Sequence, residues 1–299
     1  MAGGFSAIDL SQLPAPDVVQ AVDYESTFAA MLADLRARAP EFDALVESDP
    51  AFKLLEEAAY FKVLTLQRVN DAARAVMPAY SAGSDLDHIA ARYGVARLVI
   101  DPGDPLALPP VAPTLESDTD LRRRMLLSFE GLSTAGPVGS YIFHSLGADP
   151  DVADASVQSP APGEVLVTVL SRTGDGYAAP ALLSAVATVL NADEVRPLCD
   201  QVTVQGAEIL NYAVSASLTV YPGPDSNVVR EAAEAAVSTY VDAQHRLGRD
   251  VTLSGLYAAL HQPGVQKVTL AAPTSDLPVD EGQTAYCTGI TVELGGVNV

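Results

Sequence analysis

Apolar residues recur at alternating steps of three and four between Asp49 and Pro78: Phe52, Leu55, Ala59, Val63, Leu66, Ala73 and Met77. That spacing puts them on one helix face. Asp49 suits an N-cap and Pro50 the first helical position, where a missing N–H costs nothing. Pro78 ends the run, so the pattern predicts about seven turns without an internal Gly or Pro, well beyond the usual ~11–12 residues. A second apolar row, Leu54, Ala58, Phe61 and Leu64, lies beside the first. So wide an apolar face needs neighbours on more than one side, as the spine of a helical domain or in a bundle shared with another chain. Phe52, Leu55, Ala59, Val63, Leu66, Asn70 and Ala73 are therefore the candidate partner-contact positions. Asn70 reads either as a buried amide fixing helix register or as a polar residue at the wet edge of the stripe, the simpler reading. Arg68, Asp71 and Arg74, three apart, can pair on a solvated face.

The flanking stretches are also helical. Asp17 to Arg38 carries Tyr24, Phe28, Met31, Leu32 and Leu35 at helical spacing, Pro40 interrupts, and Phe42 to Val46 is a short helix or turn. Gly3 to Pro16 reads as an extended arm or a loose terminus. A short helix is expected from Ser84 to Tyr93, with Ser84 and Asp87 as a capping box and Gly94 as its stop. Asp85, Asp87 and His88 could suggest a metal site, but capping accounts for Asp87 and no second His stands at helical spacing. Residues Leu98 to Thr114, with prolines at 102, 105, 109, 110 and 113, are expected to be irregular: a stiff connector, a pinned loop or a hinge. Ser117 and Asp120 open a second capped helix that Gly131 stops. Arg122, Arg123 and Arg124 within it are either a docking patch or, more simply, pair with Asp118 and Asp120 at i,i+4. A further helix runs from Gly136-Pro137 through Leu146 to Gly147.

From Val152 the period changes to two. Strands are expected at Ala155–Gln158, Val165–Leu170 and Val202–Val204, with a helix from Pro180 to Leu190. A similar unit follows: a strand from Ala213 to Tyr221, a Pro222-Gly223-Pro224 break, helices at Val228–Gln244 and Leu253–His261, a strand at Val265–Leu270 and strand character from Tyr286 to Leu294. The fold class is α+β, a helical N-terminal region followed by two small α/β (βαβ-like) domains, with internal duplication a suspicion. The expected division is 1–97 helical, 98–114 connector, 115–150 helical, 151–208 first α/β domain and 209–299 second α/β domain.

Composition narrows the function classes. The 299 residues are 48% hydrophobic, so a substantial core can form. With 17 Lys+Arg against 38 Asp+Glu the net charge is −21, which disfavours nucleic acid and anionic membrane partners. No run approaches a membrane span, the N-terminus lacks a signal-peptide pattern, and Cys199 and Cys287 match no ligand or redox spacing, so folding in a cytoplasm with two free thiols is expected. Gly174-Asp-Gly176 imitates a dinucleotide fingerprint, with Asp193 and Glu194 downstream. However, Pro180 starts the helix after the glycines rather than within them. Gly131-Leu-Ser133-Thr-Ala135 resembles a nucleophile elbow with Ala where Gly is needed. His88, His144, His245 and His261 are scattered. No catalytic, cofactor or metal residue is expected from these patterns.

Three stretches carry a resemblance. They are Arg68-Val-Asn70-Asp71-Ala-Ala-Arg74 with Gly83 through Val95; Glu116-Ser-Asp118 through Gly136-Pro137; and Ala148-Asp-Pro150 through Gly163-Glu-Val165, with Val195-Arg196-Pro197-Leu198 as a fourth landmark. In order and spacing they resemble the baseplate J-like family of contractile phage tails and R-type pyocins. The resemblance implies a structural wedge protein, not an enzyme and without a cofactor, in the baseplate of a virion or tailocin assembled in the bacterial cytoplasm. It further implies that two copies pair and join one smaller protein resembling the I protein of the same tails. N-terminal helices of the three chains would form a shared bundle. Six wedges would surround the central hub and spike, the C-terminal α/β domains meeting neighbouring wedges and the assembly meeting the sheath.

Overall fold

The computed structural model describes residues 10, 13, 16–223 and 225–298, so most of the arm expected over Gly3–Pro16 lies outside the described residues. The chain forms two compact units. One holds the N-terminal helices through Arg97 together with Ser117–Met125; the other holds Leu98–Glu116 and the chain from Leu126 onward.

The helical unit contains α1 (Tyr24–Arg38), α2 (Pro50–Ala75), α3 (Gly83–Ala91) and the start of α4 (Asp118–Leu127). α1 begins at Tyr24 rather than near Asp17 because Asp23 caps it, its carboxylate accepting the Ser26 N–H at 2.7 Å. Asp49 precedes α2 as expected but turns its carboxylate back to the Val46 N–H at 2.9 Å, leaving Pro50 to set the first turn. α1 and α2 pack with Phe28 edge-on to Phe52, ring centres 5.0 Å apart. The expected Ser84–Asp87 capping box does not form. Asp118 accepts the Gly83 N–H at 3.2 Å, and Asp87 pairs with Arg97 at 2.7 Å. Gly94 stops this segment as expected. Its φ of +70° is costly for any residue with a Cβ, and it lets the Val95 N–H return to Ala90 O at 3.1 Å.

The second unit opens with a correction. Residues 98–115 are not irregular throughout: β1 (Val99–Asp101) and β2 (Thr114–Leu115) pair antiparallel, and Asp104 and Val111 exchange both backbone bonds further out. The prolines stand between the pairing residues, where no ladder N–H is required, so they do not prevent a ribbon.

After α5 (Val138–Ala148), β3 (Val152–Gln158), β4 (Glu164–Ser171) and β5 (Gln201–Gly206) make a sheet of order β3-β4-β5, antiparallel then parallel, with α6 (Pro180–Leu190) crossing from β4 to β5. Tyr141, Val167, Val169, Val186 and Leu190 are central to its core. β6 (Glu208–Val220), α7 (Ser226–Gln244), α8 (Leu253–Leu260), β7 (Val265–Ala272) and β8 (Gln283–Val297) follow, with sheet order β7-β6-β8. Val214, Ala216, Leu218 and Val220 alternate along β6 to face Val229, Ala233, Val237 and Val241, spaced four apart on α7. Each sheet thus has a central strand with one antiparallel and one parallel neighbour. In the first module the antiparallel strand precedes the centre, and in the second it follows. The echo suspected from sequence is therefore one of architecture, without shared connectivity.

Candidate functional site

The site with the strongest physical signature is the surface of α2. Among the named partner-contact positions, Ala59, Val63 and Asn70 are buried, and Phe52, Leu55, Leu66 and Ala73 are half-buried. The row beside them is not covered: Leu54 is 72%, Phe61 58% and Leu64 40% exposed. α1 has no fully buried residue, and no side chain of α1 or α2 belongs to either described hydrophobic cluster. A 26-residue helix packed mainly on α1 buries one stripe, and its second apolar row is left to water.

Asn70 is not at a wet edge. Its side-chain amide donates to Gln20 O at 2.8 Å and its side-chain oxygen accepts the Gln20 N–H at 3.0 Å, clamping the segment before α1 onto α2. The arginine run departs from expectation at Arg122, which turns from Asp118 to backbone carbonyls. Arg122 donates to Pro78 O at 2.6 Å and Ser81 O at 2.7 Å, and Arg124 donates to Ala96 O at 3.2 Å. Asp118 instead receives Arg97 at 2.6 Å. Although burial opposes it, the bonds from Arg97 and Gly83 hold the Asp118 carboxyl below its usual range. These arginines fasten the helical unit internally, through carbonyls that i,i+4 counting does not reveal.

The chemical candidates resolve into turns. Gly174 and Gly176 form a turn closed by Ser171 N–H to Gly176 O at 3.0 Å. A Cβ on Gly176 would meet Leu170 and His245, so a structural contact already occupies that approach. Ser133 accepts the Ala135 N–H within its own turn at 3.4 Å. His144 reaches Gly131 O at 3.2 Å, and burial keeps its pKa below the ordinary histidine value. Cys199 is exposed; Cys287 is half-buried and burial pushes its thiol up. Between the two α/β modules an open cleft of about 760 Å³ is lined by Gln158, Gln205, Glu208, Asp280, Glu281 and Gln283. Ser156 donates to Glu281 O at 2.5 Å and Arg246 to Ala153 O at 2.6 Å across the same junction. The sequence reading missed this junction, because its partners lie about a hundred residues apart and carry no local spacing.

A helical unit with an uncovered apolar face, joined to small α/β modules held by polar contacts, defines a component of a larger assembly. Comparison with known proteins identifies which one. The baseplate J-like N-terminal domain matches residues 47–104, the baseplate J-like central domain 133–206 and the baseplate J-like C-terminal domain 212–293. Baseplate protein J of Escherichia phage P2 is 50% identical over 296 residues, covering 97% of this chain and 98% of that protein. The chain belongs to the baseplate J-like family and is a structural component of a contractile-tail baseplate. A chain in the cryo-EM structure of the anti-feeding prophage baseplate aligns over 62% of this chain and 44% of its own length, with 17% identity and a TM-score of 0.42.

Proposed function

We propose that this chain is the paired wedge subunit of its baseplate. Two copies join one smaller I-like protein through a helical bundle in which α2 is the partner-contact helix. The observation that carries this reading is the uncovered row Leu54, Phe61 and Leu64 beside the stripe from Phe52 to Ala73 on a helix that lacks a core of its own. Three such helices can cover each other's second faces, which one chain alone cannot. The α/β modules supply contacts to neighbouring wedges in a ring around the hub and spike. Beyond the Leu247–Thr284 bridge, the outer edge of β8, whose one charge is Glu293, is the kind of edge that pairs readily. The role is mechanical: the ring holds a closed state and rearranges to release the sheath, without catalysis or a cofactor, after assembly in the host cytoplasm. The division into a helical region (1–97), ribbon (98–114), helical segment (115–150) and two α/β domains (151–208 and 209–299) is the working plan for truncations.

The test is solution mass. The full chain is measured alone and co-expressed with the small protein encoded beside it. A two-to-one complex is expected; a monomer that ignores its neighbour at micromolar concentration removes the bundle.

A further inference from the structure

The ribbon of residues 98–115 ends in two of the most exposed leucines of the described chain, Leu106 at 89% and Leu108 at 97% exposure. The scaffold beneath them is built to hold them out. Asp104 and Val111 exchange bonds of 3.0 and 2.9 Å, Asp101 accepts the Gly103 N–H at 2.8 Å, and Asp104 accepts the Leu106 N–H at 2.8 Å. Gly103 adopts φ +67°, and a Cβ there would collide with the backbone of Val111 and Ala112. Pro105, Pro109 and Pro110 restrict the tip itself. These fixed points on both sides restrict how far the tip can fold its leucines back.

We infer that the Leu106–Leu108 tip is an insertion knob for a protein partner that offers an aliphatic cleft with a basic rim. Two apolar anchors on a preorganised support are the form in which a small contact gains affinity, since little order remains to be imposed on binding. Asp101 and Asp104 are the charged groups of the ribbon, so the rim that complements it is basic. A second copy of this chain, at net charge −21, and an anionic bilayer are both electrostatically disfavoured occupants. The inference uses the baseplate assignment to choose its assay and is independent of the two-to-one bundle, because the knob lies outside α2.

The experiment uses the full chain expressed with its own tail genes and the double variant Leu106→Ser/Leu108→Ser. Both side chains are in water, so the melting temperature of the isolated chain should stay within about 2 °C of wild type. The two-to-one mass should also persist, while incorporation into particles falls at least about tenfold. Gly103→Val, which keeps both leucines but breaks their support, should lower incorporation in the same direction. A photo-crosslinker at position 108 in assembled particles should label a peptide of another protein in which aliphatic residues adjoin Lys or Arg. Wild-type incorporation of the double variant overturns the inference, as does a crosslink to a second copy of this chain. Flotation of the wild-type chain with phosphatidylcholine vesicles that the double variant loses would assign the tip to lipid and also overturn it. Absence of the two-to-one mass for the wild-type chain, with incorporation still falling in the double variant, would count against the wedge reading alone.

Discussion

Replacing Leu54, Phe61 and Leu64 together with serine separates a partner face from a badly packed one. Fully burying a Leu or Phe side chain is worth about 1.5–3 kcal/mol. Scaled by the exposed fractions of these three side chains, covering them gains about 3 kcal/mol or somewhat more. That corresponds to a ~100-fold change in Kd. Scaled the same way, the fractions of these side chains already covered within the chain are worth about 2 kcal/mol or somewhat more, which the isolated protein should lose. The assay is paired: urea unfolding of the isolated chain by circular dichroism, and titration of the chain with its small neighbour by calorimetry. Stability within about 3 kcal/mol of wild type together with a ~100-fold weaker complex is the expected pattern. A larger stability loss would mean that the row is packed internally. An unchanged Kd would mean that α2 is not the joint, and either result refutes the argument from exposure.

Four further outcomes follow from named contacts. Asn70→Ala removes both bonds to Gln20 and should cost about 1–3 kcal/mol, with faster amide exchange at Gln20; Asn70→Asp, which can accept but not donate, should fall between. Tyr141 is 2% exposed and donates to Asp200 at 2.7 Å, so Tyr141→Phe should destabilise the second unit by about 1.5–3 kcal/mol in thermal unfolding. Asp118 has a folded carboxyl pKa below its unfolded value. Its contribution is therefore fully present above about pH 4 and is lost as pH falls through the folded value; Asp118→Asn should flatten that part of the acid-unfolding profile of the helical unit. Arg97→Met leaves Asp87 and Asp118 without their shared cation and should lower the melting temperature more than Arg74→Met, whose pairing with Asp71 at 3.6 Å is exposed.

The elements governed by short-range rules were legible. The α2 stripe follows period 3.6, α6 from Pro180 to Leu190 carries a Pro start, and β6 and β4 alternate with period two; each needs only residues a few positions apart. The features that escaped depend on distant partners. Asp87 satisfies the spacing of a capping box, yet Arg97 and Asp118 together make a stronger use of its neighbourhood than a surface cap does. Proline count argued against order at 98–114, but what decides a ribbon is which positions need an N–H, and Asp104 and Val111 have theirs. Of the candidate partner-contact helix, periodicity gave both apolar rows equal weight. Which row α1 would cover depended on Phe28 meeting Phe52 and on Asn70 holding Gln20, pairings with no signature in local sequence.

Charge constrains the assembly in a way that sedimentation can measure. With 17 basic residues against 38 acidic ones, the surface carries a net acidic excess. Two copies at −21 each repel, and pairing through α2 must overcome that repulsion with apolar area. A basic partner gains from the same field. Raising salt from about 0.05 to 0.5 M shortens the screening length from about 14 to 4 Å, removing most of both effects. Copy-to-copy association should therefore tighten with salt, while association of the ribbon with a basic-rimmed partner should weaken and slow. Sedimentation of the isolated chain and of its particle subassemblies across that salt range reads both signs at once. If the two associations shift in the same direction, either the pairing is itself an ion-pair contact or the ribbon's partner is not basic, and the opposition between the two surfaces fails.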